Sequence, residues 1–183
     1  MSDTTTSTTK LRTISAVVIC HQDKQQLIEF LDSLKQQTRQ PDEVIACVCC
    51  MELDGIDCDI IVKSPHREDW GAEKCEQGLK LATSDYVWYA NTDDKPSERF
   101  LERLLGEDGD IIACDFNSRH VGQNAQVAPV VGQITRGSFI VRRELALTIG
   151  YTDRTYNADG IHAKAVAESG KFVRVPETLY EHR

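Results

Sequence analysis

Apolar residues fall along this chain in short runs, separated by polar stretches whose spacing is in places helical. Thr13 to Cys20 is nearly continuously apolar, the pattern of a strand covered on both faces of a sheet. Asp23 then stands as an N-cap, and Leu27, Phe30, Leu31 and Leu34 recur at helical spacing as far as Gln36-Gln37-Thr38. Pro41-Asp42-Glu43 leads into a second apolar run, Val44 to Cys49. This is a β-α-β unit, which crosses over right-handedly and builds a parallel sheet. Asp59 to Val62 predicts a third strand, Lys63 to Trp70 a polar loop, and Gly71 to Ala82 a helix with Ala72, Cys75, Leu79 and Ala82 on its inner stripe. Asp85 to Ala90, with Tyr86, Val87, Trp88 and Tyr89, predicts another buried strand. It runs directly into Asn91-Thr92-Asp93-Asp94; Lys95-Pro96 stops the pairing, and Ser97 with Glu98 opens a helix around Phe100, Leu101, Leu104 and Leu105.

The second half is less regular. Asp110 to Phe116 reads as a strand, Asn117 to Gln126 as a long polar loop, and Gln126 to Ile134 as an edge strand. Arg136 to Arg142 reads as a strand or turn, Arg143 to Ile149 as a short helix closed by Gly150, and Ile161 to Glu168 as a helix ended by Ser169-Gly170. Lys171 to Val175 is the last strand. Alternating strands and helices of this kind predict a single-domain α/β fold with a mostly parallel sheet flanked by helices, over residues 13–183. Residues 1–12 form a Thr/Ser-rich tail expected to be disordered. There is no internal repeat and no domain linker.

Bulk properties narrow the function. The chain has 183 residues, enough for one substantial domain, and its 40% apolar and 27% charged content is ordinary for a globular protein. A net charge of −8 disfavours a general nucleic-acid binder, which needs a basic surface to displace counterions. No run approaches a membrane span and no signal-peptide pattern opens the chain, so a soluble, cytoplasmic protein is expected. The seven cysteines are an odd number without a secretion signal, which predicts reduced thiols. Cys47 and Cys50 make a C-x-x-C, with Cys58 or His66 as conceivable further zinc ligands. They sit in an apolar strand, though, and no second C-x-x-C completes a site, so small buried hydrophobes are expected.

The chemistry gathers where the Asp85–Ala90 strand ends. Ligands in open α/β sheets bind at the carboxyl ends of strands, and adjacent carboxylates there supply hard oxygen donors to Mg2+ or Mn2+, which in turn hold phosphate. The plain alternative is a polar Asx turn with a helix cap.

Four stretches, taken together in chain order, resemble the family-2 nucleotide-sugar glycosyltransferases of GT-A fold. They are Ile14 to Asp23, at the first strand and nucleotide-contacting turn; Gly71-Ala-Glu-Lys-Cys-Glu-Gln-Gly-Leu79; Asn91-Thr-Asp-Asp94, similar to the D-x-D metal motif; and Gly137-Ser-Phe-Ile-Val-Arg-Arg-Glu followed by Ala158-Asp159-Gly160, similar to the acceptor segment. The resemblance implies a metal-dependent inverting glycosyltransferase acting on a nucleoside diphosphate sugar. It implies Asp93 as metal ligand with Asp94 in support and His182 as a further ligand. Asp159 becomes the base that deprotonates the acceptor, with a helix N-cap as its plain alternative. His21, Asp23, Lys74, Asn91, Gly137 and Ser138 become donor-binding residues, and Mn2+ or Mg2+ the cofactor.

The departures are specific. Asn91 stands where the motif has its first acid, Val48, Cys49 and Cys50 where an aspartate reads uracil, and Cys75-Glu76 where the helix has an Arg-Asn pair. Arg67, Lys74 and Lys95 offer compensating positive charge, or are solvated surface charges. Two alternatives stand beside the transferase: a catalytically silent binding module of the same fold, and a nucleotidyltransferase. The latter would want a Gly-rich basic loop where His21-Gln-Asp-Lys24 stands. The acceptor is open among glycan, protein and small molecule. No appended acceptor domain is expected after His182, and Asn117–Gln126, or a second subunit in a homo-oligomer, is expected to shape that side.

Overall fold

A computed structural model describes residues 11–65 and 68–183. The tail as far as residue 10, His66 and Arg67 lie outside the described residues, and so do the expectations that fell on them.

The described residues build one nine-stranded sheet. Its elements in order are β1 (Ile14–Cys20), α1 (Lys24–Lys35), β2 (Glu43–Val48), β3 (Ile60–Lys63), α2 (Ala72–Leu81), β4 (Tyr86–Asn91), β5 (Lys95–Pro96), α3 (Phe100–Leu105), β6 (Ile111–Ser118), β7 (Gly122–Ala125), a 3-10 turn (Arg136–Ser138), β8 (Phe139–Arg142), α4 (Arg143–Ile149), α5 (Ala158–Ser169) and β9 (Phe172–His182). The strand order is β3-β2-β1-β4-β8-β6-β9-β5, with β7 hairpinned on β6. β1, β2, β3, β4, β6 and β9 point one way; β5, β7 and β8 run against them. The mostly parallel sheet expected from the apolar runs is therefore present, with β8 reversed between β4 and β6.

Burial explains why the runs are continuous. Every residue of β1 is buried, and so is β4 up to Ala90. Trp88 packs between Phe30 of α1 and Phe100 of α3, with ring centroids 6.1 and 4.8 Å away, and its indole N–H donates to the Gly137 carbonyl at 2.9 Å. Leu27, Phe30, Leu31 and Leu34, the apolar positions at helical spacing, are the buried residues of α1, and Asp23 caps it, accepting from Gln26 N at 3.0 Å. At the amino-terminal edge of the sheet, carboxylates serve the backbone: Asp42 accepts from Ile14 N, Asp59 from Val44 N and Asp85 from Thr13 N, at 2.9, 2.7 and 3.1 Å. Acids at that edge are structural.

Several expectations change. The polar stretch from Asn117 is no loop: β6 continues to Ser118 and turns into β7, whose polar edge position carries no apolar alternation. Gln126–Ile134 forms no strand. Pro129 has no amide N–H to pair, Gly132 has φ 83, and the segment bonds to itself, Ala128 N to Gln133 O at 3.1 Å and Gln133 N to Val130 O at 2.9 Å. Lys95-Pro96 does not end the pairing but adds to β9, opposite Glu181 and Tyr180. β9 runs through Pro176 to His182, register shifts against β6 around Asp115 absorbing the proline. α5 begins at Ala158 rather than Ile161. Among the described residues no helix is long and apolar enough to cross a membrane.

Candidate active site

The carboxyl ends of β1, β4, β6 and β9, the 3-10 turn before β8 and the start of α5 surround a cleft of about 1120 Å³. Because β8 is reversed, its leading turn lies at the same edge as the ends of its neighbours. Residues from five separate parts of the chain, His21, Asp93, Ser118, Arg136 and Asp159 among them, thus line one cavity.

The acidic turn divides its side chains. Asp93 is exposed in the cleft, whereas Asp94 is buried. Asp94 Oδ2 accepts from Tyr180 OH at 2.7 Å and Asn91 Nδ2 at 3.1 Å, and Oδ1 accepts from Arg183 N at 3.0 Å. Burial pushes its pKa up, against hydrogen bonds from Tyr180 and Arg183 that favour the charged form. Asp94 thereby fastens the last strand to the turn. Asn91 uses both ends of its amide, receiving Arg136 Nη1 on Oδ1 at 3.2 Å while donating to Asp94. His182 lines the cleft with its Nδ1 sharing a hydrogen bond with Ser118 Oγ at 3.2 Å, and the His120 ring lies 5.9 Å from it.

Among the described residues no three or more His, Cys, Asp or Glu side chains converge closely enough to hold a metal by themselves. Asp93 and His182, a carboxylate and an imidazole, remain as donors toward the cleft. That set fits Mg2+ or Mn2+ in the form these ions usually take with phosphates, one or two protein donors plus phosphate oxygens and water.

Asp159 is the second residue of α5, whose cap position is Asn157, so it is not the N-cap. It is half-buried on the cleft wall. Its Oδ2 accepts from Arg136 N at 3.1 Å and its Oδ1 from Gly160 N at 2.8 Å. Arg136, unremarked in the sequence, is the hub. Its guanidinium is buried and donates to Asn91, to Tyr151 OH from Nε at 3.2 Å and to Trp70 O from Nη2 at 2.7 Å. A fixed cation thus underlies the cleft. Only its neighbours Gly137 and Ser138 stood out in the sequence, because the contacts that matter reach 45 and 66 residues back along the chain.

The remaining donor-side residues separate. His21 lines the cleft, and its pKa is lowered by partial burial and then by the Lys74 and Arg136 cations, so the imidazole is neutral near pH 7. Asp23 lines the cleft while capping α1. Lys74 lies behind the wall, 1% exposed, with its ammonium beside the Cys49 thiol, and no ion pair among the described residues uses it. Gly137 is required by close packing: a Cβ there would fall 1.6 Å from Tyr180 OH. Ser138 is buried in a reciprocal pair with Thr135, donating to its carbonyl at 2.8 Å. No disulfide joins any of the seven cysteines. Five are buried, Cys58 is partly so and Cys50 is exposed. Burial pushes the Cys47 and Cys75 thiols up to about 12 and about 11, which makes them poor nucleophiles.

No sequence-family model matches the chain, and no curated protein sequence matches it. Solved structures do. S. aureus TarS superposes with a TM-score of 0.76 at 14% identity, over 93% of this chain and 36% of TarS. The fold is that of the GT-A glycosyltransferases. TarS 1–349 in complex with UDP-GlcNAc gives 0.70 at 14% identity, over 93% and 58% of the two chains. The mannosyltransferase PcManGT from Pyrobaculum calidifontis, in complex with GDP-Man and Mn2+, gives 0.69 at 17% identity, over 94% and 57%. The chain spans less than two thirds of each of these proteins.

Proposed function

We propose that this chain is a metal-assisted inverting glycosyltransferase that moves a sugar from a nucleoside diphosphate sugar to an acceptor hydroxyl. The observation that carries the reading is the sharing of one strand-end cleft by Asp93 with His182 and by Asp159. The complexes of TarS with UDP-GlcNAc and of the mannosyltransferase with GDP-Man and Mn2+ support the donor class.

In this reading His21 and Asp23 border the nucleotide, and neutral His21 is free to donate or accept a hydrogen bond there. Asp93 and His182 hold Mn2+ or Mg2+, which supplies Lewis-acid neutralisation of the diphosphate. Arg136 keeps Asn91 and the turn in place and adds fixed positive potential beneath the leaving group. Asp159 accepts the proton of the acceptor hydroxyl as its oxygen bonds to the anomeric carbon. The bond from that carbon to the diphosphate oxygen breaks, its electron pair leaves with the diphosphate, and the configuration inverts.

The internal use of Asn91 and Asp94 favours a second reading, a catalytically silent nucleotide-binding module. One experiment separates the two: incubation with a panel of nucleotide sugars with and without Mn2+, read by mass spectrometry for hydrolysis. Release of one nucleoside diphosphate that depends on metal and on Asp159 supports transfer; nucleotide binding without turnover of any donor supports the silent module.

A further inference from the structure

Trp70 is the least comfortable residue beside the cleft. Its φ is 54, in the left-handed region that a bulky side chain avoids, and Gly71 follows at φ 81. Two buried side chains hold this bend. Asp69 accepts from Gly71 N at 3.1 Å and Glu73 N at 2.8 Å, and Arg136 Nη2 donates to the Trp70 carbonyl at 2.7 Å. The strain does not bring the indole into the core. Trp70 is 59% exposed, whereas Trp88 is wholly buried. The indole meets the ring of Tyr156, also 59% exposed, edge to face at 5.1 Å and 81°. Both line the cleft. A strained backbone typically costs on the order of 1–3 kcal/mol and persists where its surroundings over-determine it, most often at ligand sites.

The pair lies on the Asp159 side. Tyr156 stands just ahead of α5, three residues before Asp159. Arg136 joins the two, donating its backbone N–H to Asp159 Oδ2 at 3.1 Å and its guanidinium Nη2 to the Trp70 carbonyl. On this side Glu68 and Asp159 line the cleft while the Arg136 guanidinium is committed to Asn91, Tyr151 and Trp70, so a neutral acceptor is favoured over an acidic one.

We propose that Trp70 and Tyr156 form a stacking platform for a pyranose ring of a neutral saccharide acceptor. The proposal rests on the transferase reading and gives its acceptor a chemical class. The C–H face of a pyranose carries partial positive hydrogens that suit the negative face of an indole, and its equatorial hydroxyls find acceptors in Glu68 and Asp159 and an amide in Asn157 at the same wall. Tyr156 fixes the indole plane from one side, so the ring is ordered before the sugar arrives.

The protein carries its own probe. It has two tryptophans, and Trp88 is fully buried, so emission quenched by acrylamide belongs to Trp70. The full chain is titrated with cellotetraose, chitotetraose and maltotetraose, and separately with UDP and GDP, while acrylamide quenching is followed. At least one oligosaccharide is expected to protect Trp70, with affinity about tenfold weaker in Tyr156→Ala. Circular dichroism confirms that this surface truncation folds, and Trp70→Phe, followed by saturation-transfer NMR on the sugar, gives a second variant. Protection by none of the oligosaccharides, protection by nucleotides alone, or unchanged affinity in Tyr156→Ala overturns the platform. The donor-hydrolysis screen on the same preparation keeps the two readings apart. Hydrolysis with Trp70 indifferent to saccharides removes the platform and leaves the transferase; saccharide protection without turnover of any donor does the reverse.

Discussion

Arg136 and Asn91 are joined at the floor of the cleft, Nη1 donating to Oδ1 at 3.2 Å, and the same Asn91 side chain donates to Asp94 Oδ2 at 3.1 Å. A neutral amide can accept from a cation and donate to a carboxylate at once, which an ionised carboxylate cannot do. The acid that the D-x-D pattern would have at this position could answer Arg136 but would face Asp94 with like charge.

Asn91→Asp is therefore expected to lower stability by roughly 1–3 kcal/mol, through the lost donor and the new repulsion. Mn2+ together with a nucleoside diphosphate should restore part of that loss. Melting temperatures with and without both ligands check this; a variant as stable as the parent and indifferent to Mn2+ would remove the bridging role from Asn91.

Gly137 and Tyr180 touch so closely that Gly137→Ala must move the ring that holds Asp94. A loss of roughly 1–3 kcal/mol, the usual range for overpacking, is expected in urea denaturation. Because Asp94 also receives Arg183 N, the end of β9 should loosen as well, which hydrogen exchange at Arg183 would report.

In the proposed mechanism Asp159 is the base and Asp93 a metal ligand, and the two roles predict different losses. Asp159→Asn keeps an oxygen to accept from Arg136 N and should fold as the parent does, while transfer falls by about 10²–10⁴-fold at any metal concentration. Asp93→Asn should instead raise the Mn2+ concentration needed for half-maximal nucleotide binding. Equal metal dependence in the two variants would contradict this division.

His162 sets an acid limit on stability. Burial between Tyr89 and Tyr151 lowers its pKa to about 4 from an ordinary 6.5, and its Nδ1 pairs with the Gly150 carbonyl at 2.9 Å. Above pH 6.5 the ring is neutral in both folded and unfolded chains, so nothing is lost. Between 6.5 and 4 the unfolded chain takes up a proton that the folded chain refuses, and stability falls with pH by roughly 3 kcal/mol in all. His162→Asn, which cannot titrate, should lie lower overall but flatter across that window. Chemical denaturation at pH 7, 6, 5 and 4 gives the slope; parallel pH profiles for parent and variant would exclude His162 as its source.

Much of this molecule is written locally. β1, β2 and β4 are legible because strands covered on both faces need continuous apolar residues, and the cap at Asp23 because it acts within three residues. The acidic turn is legible because β4 carries it to a strand end. The resemblance ranks Asp93 above Asp94, but the sequence could not show that Asp94 turns inward. That inward turn depends on Tyr180, 86 residues away from Asp94, reaching the turn only once β9 has paired beside β6. Nor could it single out Arg136, whose three side-chain partners lie on elements brought together by the reversal of β8. The polar β6–β7 hairpin and the exposed Trp70–Tyr156 pair leave no periodic trace, since neither faces the core. Hydrophobic periodicity determined which segments are buried. Which polar groups meet was decided by the order and direction of the strands, because long-range hydrogen bonds carry no repeating signature along the chain.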